Sequence, residues 1–260
     1  SLLPFVNVEE EDLKKMPKTL ITITGTWAPT HSKNWIECAS TWVPKLKEKG
    51  FDVLFLMSNP YLDKEYEVVG DFFFSRCTDI LEKLYLKNHY YISKYFLNET
   101  NYDYRFHTDN DTFVHPERFV SLLEEYTNLI PKDYVGCVIP YPGFNVNNLN
   151  KIEIKNQGYY ASGGSGFILS RRAHEPLIED FKEENYDHLG FCDKITGELL
   201  YKNGINLFHD SRILFESPYK RTIIHHPNSL TPFIGDKDSF LAVQHYCNGH
   251  MQEIMNKLEL

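Results

Sequence analysis

The chain has 260 residues, of which 42% are hydrophobic, 24% charged and 15% aromatic, which is enough for one large domain or two small ones. A formal net charge of −9 at pH 7 argues against nucleic acid as a partner, because a phosphate backbone is bound by a Lys/Arg-rich face. No apolar run approaches the roughly 20 residues of a membrane-spanning helix. The five cysteines lack the C-x-x-C spacing of a zinc site, and we expect reduced thiols.

The first part of the chain predicts an α/β fold. Residues 1–18 read as an acidic, solvated lead-in, and residues 19–114 then alternate apolar runs typical of buried strands with helical patterns. Such alternation indicates right-handed crossovers and a mostly parallel sheet, in which ligands bind at the carboxyl ends of the strands. The predicted strands are "TLITITG" (19–25), "FDVLFLMSNP" (51–60) and "YDYRFHTDND" (102–111), and the predicted helices cover 34–50 and 75–97.

The second part of the chain is less regular. A helix is predicted over 116–130 and a short strand over 134–140, followed by a hairpin-rich stretch and a glycine cluster that leads into a strand and a helix. No internal repeat or linker divides the chain. We therefore predict a single domain over 19–260, with a nucleotide-binding half at about 19–114 and an acceptor-binding half at about 115–260.

Two carboxylates, Asp109 and Asp111, directly follow the third predicted strand, and three interpretations of them are open. They can form a solvated Asx-rich turn. They can belong to a phosphatase-type D-x-D-x-[TV] loop, which Phe113 at the fifth position disfavours. They can hold a divalent metal that neutralises the departing diphosphate of a nucleotide sugar. A calcium loop is excluded, because neither the Gly nor the distal Glu falls at the required offset.

Four motifs in order favour the metal interpretation. They are "TDNDTFV" (108–114), "ASGGSGFILSRRAH" (161–174), "FCDKITGELLYKNGINLFHDSR" (191–212) and "TIIHHPNSLTPF" (222–233). Together they resemble the fringe and core-1 β1,3-galactosyltransferase family, and "ASTW" and "LEKL" upstream resemble further family segments. The resemblance extends from about residue 19 to 233. It implies a GT-A fold and inverting, metal-dependent transfer of a sugar from a UDP-sugar to a hydroxyl of a glycan or glycoprotein acceptor.

The resemblance also implies the metal ligands. Asp109 and Asp111 match the outer acids of the family's acidic triple, and Asn110 replaces the middle one; we expect Asp111 to be the direct ligand. His226, which precedes a proline, is expected to complete the site, with His225 as the alternative. A histidine beside carboxylates suits Mn²⁺ better than Mg²⁺, which stays open as the second choice.

The expected catalytic base is Asp193, which matches the second acid of the family's acidic pair, with Cys192 in place of the first. Inverting transfer needs one carboxylate to take the proton from the acceptor hydroxyl. Without the family, an Asp at this position would be the N-cap of the helix that follows. Glycines of the cluster would let the backbone approach the donor sugar closely. The predicted donor contacts are Thr24, Lys83, Asp109, Asn110, Gly163 and Gly164.

Acceptor contacts, compartment and alternative functions are left open by the sequence. The family implies a Golgi-lumen domain cut from a membrane anchor, whereas glycosylation sequons at Asn98 and Asn110 favour a cytoplasmic bacterial or viral enzyme. The alternatives are a sugar-binding protein without turnover, which would need no Asp193, and a phosphatase-like hydrolase. Candidates for stacking on the acceptor sugar are Tyr141, Phe144, Tyr159 and Tyr160.

Overall fold

The computed structural model describes residues 6–139, 151–214, 242–244 and 249–260. Four predicted site residues, Tyr141, Phe144, His225 and His226, lie outside these residues. The helices of the described residues, α1 to α8, are Glu10–Leu13, Pro29–Ser40, Trp42–Glu48, Tyr91–Glu99, Pro116–Glu124, Arg171–Glu179, Cys192–Lys202 and Met251–Lys257. The strands, β1 to β14, are Thr19–Thr24, Asp52–Ser58, Tyr66–Val69, Phe72–Ser75, Tyr104–Thr108, Thr112–Val114, Tyr134–Gly136, Val138–Ile139, Lys151–Ile154, Tyr160–Ala161, Phe167–Ser170, Leu207–Asp210, Ile213–Leu214 and Ala242–Gln244.

Nine strands form the central sheet, in the order β3–β4–β2–β1–β5–β11–β7–β12–β9. The strands β1, β2, β4, β5, β7 and β12 run in one direction, and β3, β9 and β11 run in the other. The predicted fold class, an α/β domain with a mostly parallel sheet flanked by helices, is confirmed. Strands from both predicted halves share this sheet, and the division into a nucleotide half and an acceptor half stays a prediction.

Helices cover both faces of the sheet, which explains why its central strands β1, β5 and β11 are buried almost throughout. On one face, Ile21 and Ile23 of β1 belong to the same buried cluster as Trp42 of α3. On the other face, Leu20 of β1 belongs to a cluster with Ile92 of α4. Successive residues of a strand point to opposite faces, so the unbroken run of β1 supplies both cores.

The predicted helix over 34–50 is wrong in one respect, because it consists of two helices. α2 ends at Ser40 and α3 begins at Trp42, with Thr41 between them at φ −120° and ψ −93°. The Thr41 hydroxyl donates to the carbonyl of Glu37 at 2.6 Å, a side-chain-to-backbone bond that competes with regular helix geometry.

Two further sequence predictions need correction. The helix expected over 75–97 is regular only in α4, since Ser75 ends β4 and residues 86–90 form a wider π-type turn. In the described part of the stretch expected to be rich in hairpins, β9 pairs with β12, β10 with β8, and β11 with β5 and β7. Apolar periodicity indicates strands but does not identify their partners, which lie far away in the sequence.

Two predictions about the chain as a whole can be compared with the structure. None of the helices in the described ranges is long and apolar enough to cross a membrane. The four cysteines of the described ranges are buried free thiols, as expected: Cys38, Cys77, Cys137 and Cys192.

Candidate active site

The predicted carboxylate pair lies where β5 ends, at the carboxyl edge of the parallel strands β1, β2 and β5. Asp109 and Asp111 occupy the short turn between β5 and β6. The Thr24 hydroxyl, at the end of β1, lies 3.2 Å from Asp109 Oδ1 and 3.1 Å from Asn88 Oδ1. From the other side, the Cys38 thiol donates to the backbone carbonyl of Asn110 at 3.1 Å. The turn is therefore held both by β1 and by α2.

A single carbonyl in the glycine cluster organises the same turn. The Gly164 oxygen accepts hydrogen bonds from the hydroxyls of Thr108, at 3.0 Å, and Thr112. It also lies 3.4 Å from the backbone nitrogen of Asp109. Three donors from the carboxylate turn thus converge on one backbone oxygen, which fixes the turn against the glycine cluster.

The preceding residue, Gly163, contacts the predicted base. Its backbone N–H donates to Asp193 Oδ2 at 2.8 Å. A Cβ atom on Gly163 would lie 2.2 Å from Asp193 Oδ1, closer than any carbon–oxygen contact allows, so this position requires glycine. The dipeptide Gly163–Gly164 therefore connects the Asp109 turn to Asp193, which is 84 residues later in the sequence.

Asp193 is the second residue of α7 and not its N-cap. The N-cap position is Phe191, which makes no side-chain capping bond, so the N-cap interpretation of Asp193 is wrong. Burial raises the pKa of Asp193 to about 6, although the hydrogen bond from Gly163 opposes the shift. Such a carboxyl group is ionised at neutral pH and accepts a proton more readily than an exposed aspartate.

Cys192 occupies the position of the missing first acid. Burial, followed by the charges of Asp193 and Asp109, raises the pKa of its thiol well above the usual value. Both carboxylates therefore lie close enough to act on the same thiol, which stays neutral. Cys192 cannot replace the acid electrostatically, and the negative charge of this region comes from the two aspartates.

A trio of His89, Cys192 and Asp193 offers ligand atoms within 4.8 Å of one another, but it does not fit a metal. Arg105 Nη2 lies 3.1 Å from His89 Nδ1, and because arginine only donates, Nδ1 accepts and the ring proton lies on Nε2. No imidazole lone pair is then left for a metal, and the thiol is protonated.

The Asp109–Asp111 turn fits a metal better, because two carboxylates beside a strand end are the hard oxygen ligands that Mg²⁺ and Mn²⁺ prefer. The structure brings both carboxylates to one turn. The third expected ligand, His226, lies outside the described residues, and the ligand set stays a prediction.

Lys83, the lysine predicted to contact the donor, forms an ion pair with Glu183. Lys83 pairs with Glu183 at 2.5 Å, with about a third of its side chain exposed. Lys87, one helical turn later, is buried and binds Asp79 at 2.7 Å, and Asp79 in turn accepts from the Thr26 hydroxyl at 2.6 Å, just beyond β1. Lys87 was not among the predicted site residues, although it follows Lys83 by four residues in the same predicted helix. The role of Lys83 in donor binding stays a prediction.

Of the predicted acceptor aromatics, Tyr160 is close to Asp193. Burial, followed by the charge of Asp193, raises the pKa of Tyr160, and a Cβ on Gly197 would lie 2.4 Å from the Tyr160 Cβ. Gly197 thus lets α7 approach β10 closely. Phe191, which was not predicted, lies two residues before Asp193 and has 68% of its surface exposed.

The geometry defines an α/β protein with a carboxylate turn at the carboxyl edge of its sheet and a second, partly buried carboxylate tied to that turn by two glycines. A sequence profile described as Fringe-like matches residues 21–195, which is 175 of the 260 residues. The chain belongs to this family, and the predicted resemblance is confirmed. The matched region contains the carboxylate turn, the glycine cluster and Asp193.

One individual relative and two solved structures are also similar to the chain. The chain is 31% identical over 208 residues to the Xenopus laevis protein "Glycoprotein-N-acetylgalactosamine 3-beta-galactosyltransferase 1", covering 75% of this chain and 50% of that protein. The chain thus spans about half the length of this relative. Among solved structures, a glycosyltransferase involved in glycosylation of the major capsid of PBCV-1 is 13% identical, with a TM-score of 0.46 over 92% of this chain and 98% of that one. The inositol-1-phosphate CTP transferase from T. maritima is 11% identical, with a TM-score of 0.40 over 94% and 98%.

Proposed function

We propose that the chain is an inverting glycosyltransferase that moves a sugar from a UDP-sugar to a hydroxyl of a glycan or glycoprotein acceptor, forming a β-linkage with the assistance of Mn²⁺. The observation that carries the proposal is the Gly163–Gly164 connection. Gly163 binds Asp193 and Gly164 binds the Asp109 turn. The proposed base and the proposed metal-binding turn are thus hydrogen-bonded to adjacent residues, which supports a site in which both act on one bound sugar.

The proposed reaction is one step. Asp193 takes the proton of the acceptor hydroxyl while its oxygen attacks the anomeric carbon from the face opposite the diphosphate. The new carbon–oxygen bond forms as the bond to the diphosphate breaks, and UDP leaves with the electron pair. A pKa of about 6 places Asp193 in its basic form at neutral pH, and a positioned general base contributes about 10²- to 10⁴-fold.

Donor binding is assigned to the turn that contains Asp109 and Asp111, which contacts Gly164. Asp109 and Asp111, with His226, would hold Mn²⁺, which when bound neutralises charge on the leaving diphosphate. The chain's own contribution is to orient Asp109, whose carboxylate lies 3.2 Å from the Thr24 hydroxyl. The Asn110 carbonyl is fixed by Cys38, so the backbone between the two carboxylates is held in place.

Two alternatives explain the structure less well. A sugar-binding protein without turnover has no use for Asp193, whose raised pKa means that its charge disfavours folding. A phosphatase-like hydrolase of the D-x-D-x-[TV] type would have Thr or Val at position 113. Phe113 is instead fully buried in the main core cluster, where it packs and offers the site no polar group.

The proposal is tested by incubating the protein with Mn²⁺, a panel of UDP-sugars and a set of simple glycoside acceptors, and measuring UDP release. Proton NMR of the product reports the configuration of the new linkage. We expect acceptor-stimulated UDP release and a β-linked product from an α-linked donor. An α-linked product would contradict the inverting mechanism, and absence of UDP release with every donor would contradict the proposed function.

A further inference from the structure

A buried arginine lies beneath the proposed donor side of the site. Arg105 of β5 is fully buried, and burial lowers its pKa to about 9. None of its hydrogen-bond partners within the described part of the chain is a carboxylate, and a buried charge without an ion partner is costly. Its donors reach His174 Nε2 at 3.0 Å, Thr22 Oγ1 at 3.1 Å, the Asn88 carbonyl at 3.0 Å and His89 Nδ1 at 3.1 Å.

One of these contacts begins a directed chain of hydrogen bonds. Because Arg105 donates to Thr22, the Thr22 proton is available to His107 Nδ1 at 3.0 Å; its other acceptor, a backbone carbonyl, is 3.5 Å away. The His107 proton then lies on Nε2, which is 3.4 Å from the Thr24 hydroxyl. Thr24 is thereby left to donate its own proton, and two oxygens accept it: Asn88 Oδ1 at 3.1 Å and Asp109 Oδ1 at 3.2 Å. The carboxylate is the stronger acceptor of the two because it is charged.

The sheet register explains why these residues meet. Thr22 and His107 are partners in the parallel pairing of β1 with β5. Residues 105 and 107 of β5 point to one face, because side chains alternate along a strand, and residues 22 and 24 of β1 point to the same face. Arg105 and His107 thus form a row of polar side chains on one face of β5, and Asp109 follows them at the end of the strand.

A second contact of Arg105 supports the same hydroxyl. The arginine donates to the backbone carbonyl of Asn88, and Asn88 Oδ1 accepts from the Thr24 hydroxyl at 3.1 Å. A hydrogen bond from Asn88 also lowers the pKa of Cys192, against the larger effect of burial. Arg105 therefore orders both groups that flank the Thr24 hydroxyl: His107, through the Thr22 hydroxyl, and Asn88, through the Asn88 backbone carbonyl.

We propose that Arg105 is a positioning residue for the donor: acting through Thr22 and His107, it fixes the direction of the Thr24 hydroxyl and so orients the Asp109 carboxylate for Mn²⁺ and the diphosphate. The inference rests on the proposed function in one respect, the use of Asp109 in donor binding. If Arg105 only held neighbouring elements together, the positions of the protons on His107 and Thr24 would not affect the affinity for the metal.

The first test needs neither metal nor substrate. Nitrogen-15 NMR of the wild-type protein distinguishes the two neutral tautomers of a histidine, and we expect His107 to carry its proton on Nε2 with Nδ1 as acceptor. A His107 ring protonated on Nδ1 would overturn the relay, because Thr24 would then donate to the ring and not to Asp109.

The second test breaks the relay with one isosteric change. Thr22→Val removes the hydroxyl between Arg105 and His107, and we expect Mn²⁺ affinity, measured by EPR titration without donor, to fall about tenfold, the lower end of outer-shell effects. Thr22→Ser keeps the hydroxyl and should keep the affinity. Thr127→Val is the matched control, because Thr127 is buried and its hydroxyl donates to the Leu123 carbonyl four residues earlier, away from the Asp109 turn.

The outcomes separate this inference from the proposed function. Equal Mn²⁺ affinity in Thr22→Val and the wild type, or an equal loss in Thr127→Val, would overturn the positioning role of Arg105. Absence of Mn²⁺ binding by the wild type would contradict the proposed function instead, and the His107 tautomer would then decide on the relay. If Thr22→Val does not fold, the tautomer and the Thr22→Ser affinity carry the test.

Discussion

Replacing Asp193 with Asn should make the protein more stable. Burial raises the pKa of Asp193 from 3.8 to about 6 in the folded state, and each pKa unit corresponds to about 1.36 kcal/mol. The folded state therefore binds this proton more tightly than the unfolded state, so ionisation weakens folding as pH rises through 4 to 6. The full effect, roughly 3 kcal/mol as an upper limit, is present above pH 6 and about half of it at pH 5.

The Asn variant removes this charge and keeps an oxygen for the Gly163 N–H. Urea denaturation at pH 8 and pH 5 should show an increased free energy of unfolding at pH 8 and a smaller increase at pH 5. Asp133→Asn is the control of opposite sign: although burial opposes it, hydrogen bonds from Arg172 and Ser170 lower the pKa of Asp133, so its loss should destabilise the protein at pH 8. Unchanged or reduced stability of Asp193→Asn at both pH values would refute a raised pKa at Asp193.

Three further predictions concern activity. Wild-type kcat/KM should fall tenfold per unit as pH drops below about 6, because the base becomes protonated; a pH–rate profile that is flat between pH 5 and 7 would contradict this. Gly163→Ala should lower turnover by about 10²-fold with UDP binding kept, since the new Cβ displaces the Asp193 carboxylate; calorimetry with UDP and Mn²⁺ separates the two effects, and a parallel loss of UDP binding would count against it. Excess chelator should abolish UDP release and added Mn²⁺ should restore it; full activity in chelator would exclude the metal role.

The sequence predicts those parts of the fold that depend on local pattern. The β-branched run of β1 and the apolar run of β2 mark strands buried on both faces, and the carboxylates after β5 then fall at the ligand-binding edge of a parallel sheet. Asp193 was found by its place in a motif. Its raised pKa could not be predicted from the sequence. The burial of Asp193 depends on the packing of α7 against the glycine cluster, which lies about 30 residues earlier in the chain.

What the sequence does not predict depends on contacts between distant residues. Gly163 was expected to make room for the donor sugar, but its missing Cβ also makes room for Asp193. The alternation of Arg105 and His107 along β5 is visible in the sequence, yet their partners come from β1, α6 and the turn before α4. The alternation in the sequence shows that Arg105 and His107 share a face of the strand. The residues that they contact are known only from the folded structure.

The central claim is that Asp193 acts on the acceptor and the Asp109 turn binds the donor. Its most direct test measures two quantities in the Asp193→Asn variant: the affinity for UDP with Mn²⁺, and the rate of acceptor-dependent UDP release. Affinity should stay near the wild-type value while turnover falls by about 10²- to 10⁴-fold. Glu198→Gln, which removes a partly exposed carboxylate of the same helix paired with Lys202, should change neither. Equal losses of affinity and turnover in Asp193→Asn would make Asp193 a donor contact, and unchanged turnover would remove it from the mechanism.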